Sequence, residues 1–187
     1  QTLGLGIVGG NFKSLGVGIE EGMAYFDQVD FSNQRLSKMY PAEYNKRKGW
    51  IDALKKEIST IDQEMYGKLT SEILIPFIHA EGPKINFFKG IRVPVLQIKA
   101  LKEFMLTRKL CEIVGRKVPP ATTDIPSDEA IKRGREILDR ERYTRTGDAH
   151  RIIVNILGGK NAKALFALEG HESDVKIDNI MGMIAKY

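Results

Sequence analysis

Three short patterns contain residue types that could do chemistry. Gly4-Leu5-Gly6-Ile7-Val8-Gly9 matches G-x-G-x-x-G, the spacing with which a dinucleotide's pyrophosphate is received at a helix N-terminus. That chemistry needs a strand before the glycines and a helix after them. Only Gln1, Thr2 and Leu3 precede the motif, further glycines follow it, and no strand–helix alternation appears later. It therefore reads as part of a Gly-rich stretch and not as a cofactor loop. Gly158-Gly159-Lys160-Asn161 has the ending of a phosphate-binding loop, but Val154 stands where that loop needs its first glycine, and Asn161 where Ser or Thr would hold magnesium. The pair reads as a helix stop. His79, His150 and His171 are scattered without metal-ligand spacing. His171-Glu172 near Asp174 comes nearest to a ligand cluster, at a predicted helix start where acids serve as caps.

The remaining candidates are single groups. Cys111 has Arg108 and Lys109 nearby, cations that can lower a thiol pKa, but no histidine partner is identifiable. It reads as a small buried hydrophobe. No serine sits in G-x-S-x-G. Glu20-Glu21 and Asp27 with Asp30 could chelate a hard cation, although acids flanking glycine turns are common without one. An enzyme would have to assemble its site from distant residues such as Glu20, His79 and Arg92. The expectation leans away from catalysis, with neither cofactor nor metal.

Charge carries more information. The chain has 29 Lys and Arg against 24 Asp and Glu, a net +5. Residues 84–117 hold Lys84, Lys89, Arg92, Lys99, Lys102, Arg108, Lys109, Arg116 and Lys117, opposed only by Glu103 and Glu112. This segment could supply the whole excess, and a nucleic-acid backbone would read it without sequence preference. Lys89, Arg92, Lys99, Lys102, Arg108, Lys109, Arg116 and Lys117 are the predicted contacts. Phe87-Phe88, beside Lys89 and Arg92, is the one plausible stacking platform. Arg133, Arg135, Arg140, Arg142, Arg145 and Arg151 are interleaved with Glu136, Asp139, Glu141 and Asp148, a pattern that favours internal ion pairs.

The elements that position these groups read as mainly α, with little or no sheet. Residues 1–40 form a Gly-rich arm and connector, and residues 41–187 a helical domain. The arm is apolar despite its glycines, so Leu5, Ile7 and Phe12 should pack on a neighbour. Pro41 opens the clearest element. Ile51, Leu54, Ile58, Ile61, Met65, Leu69 and Ile73 follow at helical spacing, predicting one amphipathic helix from about Ala42 to about Ile75, roughly 50 Å long. Ile51, Leu54, Ile58 and Ile61 on that stripe would bind neighbouring copies. A short strand or connector over 85–93 precedes a second helix from Pro94 to about Val114. Three shorter helices start near Ser127, Asp148 and Ala162, and a last one at Ser173 or Asp174.

Composition removes several classes. Apolar residues make up 42%, too many for a wholly disordered chain, and no run approaches the ~18 apolar residues of a membrane span. A single cysteine cannot form an internal disulfide and suits a reducing intracellular compartment or a virion. Gln1 is not an initiator methionine, which points to a processed or trimmed chain. The leading expectation is a non-catalytic structural subunit of a larger, coat- or nucleoprotein-like assembly. Its partners would be copies of itself and a nucleic-acid backbone. The alternatives are a helical adaptor using the stripe Ile51–Ile73 and an enzyme with a dispersed site.

Overall fold

The computed structural model describes residues 15–81, 93–120, 124–141, 148–168 and 174–187. The G-x-G-x-x-G motif, Leu5, Ile7, Phe12, Phe87-Phe88, Lys84, Lys89, Arg92, Arg142, Arg145 and His171 lie outside them. The protein is mainly α, with one two-stranded sheet among the described residues. In chain order the elements begin with α1 (Val17–Phe31), a π-helical turn (Ser32–Leu36), α2 (Ser37–Met39), α3 (Pro41–Ala53) and α4 (Lys55–Ser59). Next come α5 (Gln63–Tyr66), α6 (Ser71–Leu74), a 3-10 turn (Ile75–Phe77), β1 (Ile78–Glu81) and β2 (Val93–Leu96). The chain closes with α7 (Ile98–Lys117), α8 (Ser127–Glu141), α9 (Asp148–Leu157), α10 (Gly159–Phe166) and α11 (Asp174–Ile184). Two compact units divide it, the second being Ala24–Lys102 and the first the residues on either side.

In the first unit, Phe104, Leu106, Leu110, Ile113 and Val114 of α7 are buried with Leu138, Ile153, Leu165, Ile177 and Ile184 of the later helices. α7 and α8 meet through small residues at four-residue spacing on both helices: Cys111 and Gly115 on one, Ala130 and Gly134 on the other. A Cβ at Gly134 would overlap the Cys111 carbonyl, and one at Gly115 the Ala130 carbonyl. Backbone is therefore packed on backbone. Gly22 likewise sits against Thr107, whose Oγ1 donates to Glu103 O (2.9 Å). This is why α1 forms in the Gly-rich stretch: Gly18 and Gly22 are contact points, and Gly18 N–H also donates to Leu168 O (3.1 Å). Arg133 donates to Gly115 O and to Val118 O (2.9 Å), covering the carbonyls at the end of α7. The expected helices at Ser127, Asp148 and Asp174 are present, Gly158 separates α9 from α10, and Cys111 is fully buried.

The second unit corrects the largest sequence expectation. Residues 42–75 are four short helices, not one. α4 ends where Ser59 and Thr60 hydroxyls donate to Lys56 O and Glu57 O (2.6 Å each). Asp62 then caps α5, its Oδ1 accepting from Glu64 N–H (2.9 Å) and Met65 N–H (3.1 Å). Gly67, at φ +80°, takes the chain out of α5 in the left-handed region. Leu54, Ile61 and Tyr66 are buried all the same, with Ile73, Leu74, Phe77 and Ile78. The stripe thus folds back into its own core. Loss of the cap in Asp62→Ala should cost about 1 kcal/mol in urea denaturation; an unchanged midpoint would show that the turn does not depend on it.

Pro94 does not start a helix either. It lies in β2, opposite Ala80 of antiparallel β1, and α7 begins at Ile98 and reaches Lys117. In a sheet of two strands both are edges, so a missing N–H is tolerated.

Candidate nucleic-acid interface

The described members of the central basic segment have varied surroundings. Lys102 is 6% exposed, its Nζ 5.7 Å from the Tyr66 ring centroid. Arg108 pairs with Asp128 (3.4 Å), and Lys109 (3.8 Å) and Arg116 (3.4 Å) with Glu112. Arg116 also donates to Ile125 O (2.7 Å) and Ser127 Oγ (3.3 Å), tying the loop after α7 to that helix. Lys99 and Lys117 are exposed. Among the predicted assembly residues, Leu54 and Ile61 are buried in the second unit, and Ile51 and Ile58 are half-buried. A continuous adaptor seam from Ile51 to Ile73 has no helix to carry it.

Of the dispersed-site residues, Glu20 belongs to the first unit and His79, on β1, to the second, while Arg92 lies outside the described residues. His150 is stacked on Phe166 at 4.2 Å. Within α8 and α9, Arg135 pairs with Asp139 (3.9 Å), Arg140 with Glu141 (2.8 Å) and Arg151 with Asp148, as the interleaved charges predict. Among the described residues, no group of three or more His, Cys, Asp or Glu could hold a metal ion. No helix there is long and apolar enough to cross a membrane.

A different stretch of the chain gathers exposed charge and aromatic rings. Residues 35–56 carry Arg35, Lys38, Lys46, Arg47, Lys48, Lys55 and Lys56 against only Glu43 and Asp52. α3, the longest helix in this stretch, contains no buried residue. Arg47 pairs with Glu43 (3.1 Å) and Lys55 with Asp52 (3.7 Å), contacts of the kind that contribute little at a surface. Among the described residues, no carboxylate pairs with Arg35, Lys38, Lys46, Lys48 or Lys56, all of them exposed. Met39 is 64% exposed and Tyr40 57%, while Tyr44 and Trp50 are half-buried. Lys46 Nζ lies 5.3 Å from the Trp50 ring centroid. Pro41 at the first helical position sets the start of α3, immediately after Tyr40. Exposed cations and aromatic ring faces are thus combined on one element.

Compared with known proteins, the chain matches no family model, no curated protein and no solved structure. Lys46, Lys48 and Trp50 fall inside the helix predicted over 42–75 and Tyr40 just before it, and none belongs to its apolar stripe, so the helical pattern does not single them out. The available signal was local: four basic groups between Lys38 and Lys48, flanked by Tyr40, Tyr44 and Trp50.

Proposed function

We propose that the protein is a non-catalytic subunit that holds the backbone of single-stranded nucleic acid without sequence readout and assembles with copies of itself. The observation that carries the proposal is the stretch 35–56, with seven basic groups against two acids and exposed or half-buried rings among them. It moves the contact from α7, where Lys102, Arg108, Lys109 and Arg116 already serve packing and ion pairs, to α2–α4. For assembly, exposed Val17 and Val175 offer apolar side chains to a neighbouring copy, and the sequence before them is itself apolar at Leu5, Ile7 and Phe12.

Fluorescence anisotropy with labelled oligothymidine and oligouridine tests the binding. Four phosphate contacts would lower affinity about 50-fold between about 50 and 200 mM salt, with similar values for both strands. Absence of binding at the lower salt would sink the reading. Sedimentation with a longer strand tests assembly: several copies per strand are expected, and a monomer with and without nucleic acid at high concentration contradicts it.

A further inference from the structure

Residues 33–53 of the second unit contain no buried residue, although they lie between Ser32, 4% exposed, and Leu54, 3% exposed. They comprise the rest of the π-helical turn, α2 and α3. α3 lies beside α6, the 3-10 turn and β1, and its least exposed side chains, Glu43, Tyr44, Arg47, Trp50 and Ile51, are only half-buried. A segment held by so little burial opens at a free energy below that of global unfolding.

Both ends of this segment are joints in the helical ladder. From Val17 to Met39 the helix is unbroken except for its wider pitch at 32–36, where Ser37 N–H reaches back to Ser32 O across five residues. Such turns are rare, are frequent at functional sites and are places where helices bend. At the other end α3 stops at Leu54, whose N–H is shared between Trp50 O and Ile51 O (3.1 Å each), and α4 starts anew at Lys55. The first joint is also poorly satisfied. A hydroxyl within a helix can donate to the carbonyl four residues back. Ser37 does so to Asn33 O, and Thr107 to Glu103 O in α7 (2.9 Å). Ser32 Oγ makes no such bond, and it and Asn33 Oδ1 are buried without a partner among the described residues. Leaving them unpaired costs free energy that is recovered when water reaches them. Asn33 Nδ2 reaches Glu72 O at 3.4 Å, beyond the usual range for a hydrogen bond.

We propose that residues 33–53 form a hinged flap. It swings open as a unit about the turn at 32–36 and the joint at Leu54, while the core of Leu54, Ile61, Ile73, Phe77 and Ile78 stays folded. The flap carries Lys38, Tyr40, Lys46 and Lys48, so its opening repositions the stretch assigned to nucleic acid. The flap itself depends on no ligand, and its test uses none. Native-state hydrogen exchange of the whole protein, at rising urea below the unfolding transition, reads it. The amides of α3 should exchange through one shared opening, nearly independent of urea, and well before those of Met23 and Phe26 in α1. Ser32→Ala removes the unpaired hydroxyl from the closed form and should slow α3 exchange about tenfold. Gln34→Ala, at an exposed place of the same turn, changes helix propensity alone and should stay within about threefold. Exchange of α3 in step with Met23 and Phe26, steepening with urea as theirs does, overturns the flap. So does a gradient of rates fraying from one end of α3. An unchanged or faster rate in Ser32→Ala, the result if a water already pairs the hydroxyl, overturns the joint and the proposal with it. Equal slowing by Gln34→Ala does the same.

Discussion

Gly134→Ala is expected to lower the stability of the protein by about 3 kcal/mol or more, although alanine is the better helix former by about 1 kcal/mol. The sign follows from what the added methyl would meet. It falls on the Cys111 carbonyl of α7, which is backbone and cannot rotate aside. The two helices would have to separate. Separation would open the packing around Leu110, Val114, Ile131 and Leu138, all of them buried. Gly49→Ala is the matched control, because Gly49 lies within α3 with nothing within 4 Å of the added methyl. There the helix propensity is realised, and a gain of about 0.5–1 kcal/mol is expected. Urea denaturation followed by circular dichroism reads both. A Gly134→Ala midpoint equal to wild type would mean that α7 and α8 do not cross at these residues.

The second large effect concerns binding. Lys46→Glu with Lys48→Glu should weaken single-stranded oligonucleotide binding about 100-fold at low salt. It should also reduce the magnitude of the salt slope by about 1.4, the share of two phosphate contacts on a single strand. Both side chains are exposed, so the fold should survive, and the urea midpoint checks that it does. Lys99→Glu with Lys117→Glu is the opposing pair, on α7. The proposed interface predicts a change within about twofold for it. The reverse pattern would return the contact to the central segment that charge counting alone favours.

Helix starts marked by acidic caps and by Pro41 were legible in the sequence, and so was the shortage of strands, whereas Pro94 lies in β2 and starts no helix. Ser127 with Asp128 and Glu129, Asp148, and Pro41 each begin a helix where their chemistry requires one. The long rod over 42–75 was misread because hydrophobic spacing reports which residues face a core, not whether the backbone between them is continuous. Leu54, Ile61 and Ile73 do face a core, across breaks at Thr60 and Gly67. The stop signals were present as Asp62 and Gly67 inside the stripe, and the periodicity outweighed them. Gly115 and Gly134 could not be interpreted from one helix at a time, since each is explained by the backbone of the other. Charge counting placed the basic segment correctly in sequence. It could not show that Glu112 and Asp128 neutralise part of it, or that Lys102 lies against Tyr66.

Photo-crosslinking tests the central claim most directly. A strand carrying thiouridine, irradiated on the protein and mapped by mass spectrometry, should attach to Tyr40, Tyr44 or Trp50. Attachment concentrated on α7, or none above that of a chain carrying both Lys46→Glu and Lys48→Glu, would contradict the assignment of nucleic acid to this surface.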